Sequence, residues 1–153
     1  KRGARQKILL RLSPGIEAHT HRFIQTAQKA DLDVLAHITY PLRYIVGDQE
    51  RRVCLGDYED QIHLLLTSVI EKGVSLEVNS SGLRQKIGEP LPNRLILQKY
   101  RELGGTMVSL GSDSHNTKDL GKGIKECTQV LSDLGFTHIT YFRKRQPISI
   151  PIQ

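Results

Sequence analysis

The sequence predicts an α/β fold built on a mainly parallel sheet, and three observations predict it. Runs of strand character alternate with segments whose apolar residues recur at helical spacing, in the order β-α-β-α-β-α-β. Glycine follows each helical segment, at Gly73, Gly104-Gly105 and Gly135, where a left-handed C-terminal cap belongs. The chain has 153 residues, of which 38% are hydrophobic and 25% charged, enough apolar mass for one core and far from the profile of a disordered chain.

Taken in order, Lys7-Ile8-Leu9-Leu10-Arg11-Leu12 is a candidate strand, stopped by Ser13-Pro14-Gly15. Asp33 to Thr39 is a second, short and mostly apolar, and Pro41 closes it. Between Asp57 and Gly73, the residues Ile62, Leu65, Leu66, Val69 and Ile70 share one helical face. Val74, Leu76 and Val78 then alternate with Ser75, Glu77 and Asn79 at strand period. Asn93 can cap a helix that carries Ile96, Tyr100 and Leu103 on one side. Met107 to Leu110 makes a strand that runs into Gly111-Ser112-Asp113-Ser114-His115. A helix from about Lys118 buries Ile124, Cys127, Leu131 and Leu134, and Thr137 to Phe142 and Pro147 to Ile152 are two last extended segments. The doubtful join lies around Ala27 to Asp31, between the first strand unit and the remainder.

An excess of 22 Lys+Arg over 16 Asp+Glu gives a net charge of +6, which suits an anionic partner. The charge is scattered, however, between the N-terminal cluster, Arg51-Arg52 and Arg143-Lys144-Arg145. Five Tyr, three Phe and no Trp, without basic-aromatic interleaving, argue against a surface for single-stranded nucleic acid. A solvated surface or a small phosphorylated ligand fits better. No apolar run approaches the roughly 20 residues of a membrane span, and neither a membrane partner nor a signal peptide is expected. Cys54 and Cys127 are too few for a disulfide framework or a CxxC zinc site, so a cytoplasmic, reducing location is expected.

Polar residues at the C-terminal ends of parallel strands are the first place to look for chemistry. Asp113 and His115 stand just past such an end, two residues apart, so on extended chain both side chains point the same way. A carboxylate and an imidazole converging there suit Zn, Mn or Fe; turn chemistry and capping of the next helix explain them equally. His37, near the end of another strand, is either a core histidine or a third ligand. His19-Thr20-His21 has the spacing of a metal pair and of a frequent accident, whereas His63 and His138 read as structural. Arg43 follows a strand end and Arg84 follows Asn79-Ser80-Ser81-Gly82; each is a solvated loop arginine or a fork for phosphate. No GxGxxG, Walker loop, GxSxG or HExxH motif occurs.

Asp33-Val34-Leu35-Ala36-His37, the run Leu76-Glu77-Val78-Asn79-Ser80-Ser81-Gly82-Leu83-Arg84, and Leu110-Gly111-Ser112-Asp113-Ser114-His115 together resemble the later motifs of the polymerase-and-histidinol-phosphatase (PHP) superfamily. The tail from Tyr141 to Pro147 is similar to that of its histidinol-phosphate phosphatase branch. The resemblance covers about residues 29–153 and implies a partial, half β/α barrel of PHP type with metal ions at the strand C-termini. It implies His37, Asp113 and His115 as metal ligands and catalytic residues. It implies Arg43 and Arg84 on the substrate phosphate, and a metal-bound hydroxide hydrolysing L-histidinol phosphate to histidinol.

The family's opening HxH, further histidines and bridging glutamate are not found here, so weak or no activity is expected. Residues from about 6 to 28 resemble instead a piece of diaminopimelate decarboxylase, a pyridoxal-phosphate enzyme whose cofactor lysine and glycine loop are missing. The expected organisation is therefore a mosaic, with a decarboxylase-like segment over 1–28 and a phosphatase half-barrel over 29–153. A catalytically dead half-barrel that associates with itself or another half is the competing expectation, since open sheets favour association.

Overall fold

In the computed structural model the chain is described over residues 14–41 and 55–152. The candidate strand Lys7 to Leu12, Arg43 and Cys54 lie outside the described residues.

The first described element departs from the sequence reading. Pro14–Lys29 is an α-helix, α1, where only a strand stop and a histidine pair were expected. Proline suits the first helical position because its missing N–H has no intrahelical partner there anyway. Thr20, Ile24 and Ala27 are buried and recur at helical spacing, which gives α1 its inner face. Ile24 and Ala27 belong to the same apolar cluster as Leu35, Leu66 and Leu76, so one packed core spans the boundary near residue 28 that the sequence reading expected.

Strand β1 (Val34–Leu35) is shorter than the expected Asp33 to Thr39. His37 adopts a left-handed conformation, φ 61°, and the Tyr40 N–H closes a turn on the His37 carbonyl at 3.0 Å. Helix α2 (Glu59–Glu71) follows a short 3-10 turn and buries Leu65, Leu66 and Val69 as its spacing predicts. Gly73, φ 65°, ends it with an N–H bonded to the Ile70 carbonyl. Strand β2 (Ser75–Asn79) leads into a 3-10 turn over Ser80–Arg84. Helix α3 (Arg94–Glu102) is capped by Asn93, whose side chain accepts the Ile96 N–H at 3.3 Å. Strand β3 (Val108–Gly111) and helix α4 (Ile124–Asp133) complete the alternating part.

These three strands form one parallel sheet in the order β1-β2-β3, with Val34 opposite Ser75 and Leu76 opposite Val108. Side chains alternate across β2. Leu76 and Val78 pack with Leu66, Val69, Leu97 and Tyr100 of the helices, all of them essentially inaccessible to water. Each such side chain contributes about 1.5–3 kcal/mol relative to exposure. Ser75, Glu77 and Asn79 take the other face, where Ser75 and Ser109 share a hydrogen bond of 2.8 Å.

The last two segments, expected only as extended, form a separate antiparallel pair. Strands β4 (His138–Arg143) and β5 (Gln146–Pro151) pair antiparallel in a sheet of their own. Lys144 and Arg145, φ 50° and 64°, form the two-residue turn; two left-handed residues match the twist of a tight hairpin, so β4 pairs locally instead of joining the parallel ladder. Ser109 Oγ donates to the Thr140 carbonyl at 2.8 Å, and Arg145 bonds Asp31 and Asp33 at 2.6–3.3 Å. The hairpin thus crosses near the starts of the parallel strands, away from their C-terminal ends. Pro147 and Pro151 remove ladder donors from β5, the edge strand of the pair. Among the described residues, no helix is long and apolar enough to cross a membrane.

Candidate active site

The C-terminal ends of β1, β2 and β3 bring four of the residues singled out above to one edge of the sheet: His37, Glu77, Asn79 and Asp113. Glu77 and Asn79 reach it because strand period puts them on the face away from the helices. The Glu77 carboxylate accepts the His37 backbone N–H on Oε2 at 3.2 Å, and Asn79 Nδ2 lies 3.5 Å from the same oxygen. Its other oxygen covers Gly111, where a Cβ would stand 2.5 Å from Glu77 Oε1. Asn79 turns its own side-chain oxygen onto the Ser81 N–H at 2.8 Å and so starts the 3-10 turn that carries Arg84.

Asp113 and His115 are brought together. Asp113 is left-handed, φ 47°, and its Oδ1 lies 3.5 Å from His115 Nε2. The Asp113 side chain is 18% exposed and that of His115 83%, so the carboxylate is the inner member of the pair. Two donors about 2.0–2.1 Å from a tetrahedral zinc stand roughly 3.4 Å apart, so the pair has the spacing of two corners of such a site. His37 shares the sheet edge, yet among the described residues no group of three His, Cys, Asp or Glu side chains is arranged to hold a metal ion. Among the described residues Asp113 and His115 supply two donors, one fewer than the three protein ligands a catalytic zinc takes.

Arg84 is held firmly. Its Nη2 donates to the Ser112 carbonyl at 2.7 Å and its Nη1 to the Lys122 carbonyl at 3.3 Å. Ser80 Oγ donates to that same Lys122 carbonyl at 2.6 Å. The β2 turn therefore grips both ends of the segment that carries Asp113 and His115. A guanidinium has five N–H donors, and these two bonds leave the others of Arg84 for a ligand. Within the segment, Asn116 and Lys122 both bond the Asp119 carboxylate, and the Asn116 bond first, then Lys122, hold its pKa below the usual value.

The HxH pair does not converge. His19 and His21 lie on α1, where residues two apart point to different sides of the helix. His19 is half-buried with Nε2 3.3 Å from the His37 carbonyl, and burial lowers its pKa despite that bond. His21 is exposed and meets Gln25 at 2.9 Å. His63 and His138 are exposed as well, the latter beside Thr137. Sequence reasoning placed Glu77 on a polar strand face without giving it a role. The signal was a carboxylate in the middle of an otherwise apolar or small-residue strand.

No family model matches the chain. A probable histidinol-phosphatase of Thermotoga maritima is 30% identical over 127 residues, 83% of this chain and 52% of that protein. A probable histidinol-phosphatase of Clostridium acetobutylicum is 30% identical over 115 residues, 74% of this chain and 44% of that protein. A probable phosphatase of Enterobacter sp. is 27% identical over 121 residues, 78% of this chain and 42% of that protein. Among solved structures, the histidinol phosphate phosphatase of Lactococcus lactis, complexed with zinc, L-histidinol and phosphate, superposes with a TM-score of 0.67 at 14% identity, over 87% of this chain and 50% of that one. The likeness in fold is to half of that molecule, and the chain spans about half the length of the curated relatives it matches. In sequence and fold the chain is histidinol-phosphatase-like, a hydrolase by resemblance.

Proposed function

We propose that this chain carries part of a phosphomonoester-hydrolysing site of histidinol-phosphatase type, with L-histidinol phosphate as substrate. The observation that carries the reading is the placement of Asp113, His115 and Arg84 together past the C-terminal ends of β2 and β3. Both names and ligands of the relatives support the substrate class.

In this reading the remaining N–H donors of Arg84 take phosphoryl oxygens by charge-assisted bonds while its bound donors keep the guanidinium aimed. A water adds to phosphorus and loses its proton to the Asp113–His115 pair; the P–O bond to the alcohol breaks, and the alcohol oxygen takes a proton. Zinc, present in the Lactococcus complex, finds suitable donors in Asp113 and His115 but only these two as a pair, so no step is routed through a metal. Arg43 remains a second candidate for the phosphate. The competing reading is a non-catalytic half-barrel that self-associates or pairs with another half, and the finding that among the described residues no three donors converge is compatible with its lack of catalysis.

Calorimetric titration tests the phosphate assignment. L-histidinol phosphate is expected to bind Arg84→Ala at least tenfold more weakly than the parent chain, the loss of a charge-assisted bond of about 1.5–3 kcal/mol. Unchanged affinity returns Arg84 to a purely structural clamp.

A further inference from the structure

We infer that Glu77 is a positioning residue for the candidate site: its carboxylate sets the His37 turn and the gap between the ends of β1 and β3. The inference rests on the proposed site but not on any metal. Three observations carry it. Glu77 Oε2 accepts the His37 N–H at 3.2 Å across 40 residues of sequence. Its Oε1 occupies the space that any side chain at position 111 would need, with a Cβ there only 2.5 Å away. His37, which donates to this carboxylate, holds left-handed backbone, φ 61°, as does Asp113 two residues beyond Gly111, φ 47°.

Left-handed backbone costs a non-glycine residue roughly 1–2 kcal/mol and persists only where neighbours over-determine it. For His37 three neighbours do this. Glu77 holds its N–H, while the Tyr40 N–H and His19 Nε2 hold its carbonyl at 3.0 and 3.3 Å. Of these three, Glu77 is the one that comes from the sheet, so beyond the β1–β2 ladder it fixes the His37 turn directly to the strand that carries Asn79. A buried-edge carboxylate between two small or polar strand positions has no packing role that an apolar residue would not fill better. Its use is as a rigid acceptor at a fixed height above the sheet.

Two substitutions separate reach from charge. Glu77→Gln keeps an acceptor oxygen at the same distance without the charge, and Glu77→Asp keeps the charge but withdraws it by one methylene. In amide NMR spectra the His37 N–H is expected to keep its hydrogen-bonded downfield position in Glu77→Gln and to move upfield in Glu77→Asp. With L-histidinol phosphate, Glu77→Asp is expected to lower kcat about tenfold or more at nearly unchanged KM, since small displacements at a site cost that much. Glu77→Gln should stay within about threefold of the parent. Gly111→Ala, which displaces the carboxylate from the opposite side, is expected to reproduce the Glu77→Asp shift of the His37 amide. An unmoved His37 amide in Glu77→Asp overturns the inference, as does a Glu77→Gln variant as impaired as Glu77→Asp. Should the parent chain release no phosphate, the proposed function fails and the NMR comparison still decides Glu77.

Discussion

At the scale of single residues, the fold is punctuated by groups whose burial fixes their protonation. Burial pushes the Cys127 thiol from 9.0 to about 12. Tyr100 is likewise raised from 10.0 to about 12 by burial, which outweighs its bond to the Met107 carbonyl. A folded-state pKa raised above the unfolded one means that the folded chain binds more protons at alkaline pH. Stability from these two groups is therefore complete below about pH 9 and is lost as pH rises towards 12. Urea midpoints measured at pH 8, 10 and 11 should fall in that order, and Cys127→Ala should reduce the fall. A midpoint level across this range would contradict the burial of both groups. Single residues also show where sequence reasoning stops. Asp113 near His115 was read from spacing on extended chain, whereas Asp113 is left-handed; the turn at His37 was not legible because Glu77 and His19, distant in sequence, hold it.

At the scale of elements, period decided what could be read. Helix α2 announced itself through Ile62, Leu65, Leu66, Val69 and Ile70, and its end through Gly73. Leu66 is wholly buried between α2 and the sheet, so Leu66→Ala should cost about 2–5 kcal/mol in chemical denaturation. A loss under 1 kcal/mol would mean that the helix is not packed there. Helix α1 went unread because its inner face is Thr20, Ile24 and Ala27, too polar and small to stand out, and because the His19/His21 spacing drew attention instead. The hairpin of β4 and β5 looked like two further strands. Their pairing depended on Lys144 and Arg145 adopting left-handed backbone, which neither residue type signals. Asp31 and Asp33 secure that turn through Arg145, and the Arg145 bond holds the Asp31 carboxyl below its ordinary value.

At the scale of the whole molecule, the layout separates stability from chemistry. The hairpin and its Asp31–Arg145 contact lie towards the starts of the parallel strands, and the apolar cluster lies between sheet and helices. The polar face carrying Glu77 lies towards the strand C-terminal ends, where parallel α/β proteins arrange their sites. Among the described residues, the donors brought together there are the pair Asp113 and His115. The proposed hydrolysis of phosphate esters at this edge is tested most directly by inorganic phosphate release from L-histidinol phosphate by the purified chain and by Asp113→Asn, with the same divalent metal supplied to both. Slow release above the blank is expected, falling at least tenfold in Asp113→Asn. Equal release by the two, or none by either, would contradict it and leave the self-associating half-barrel as the better description.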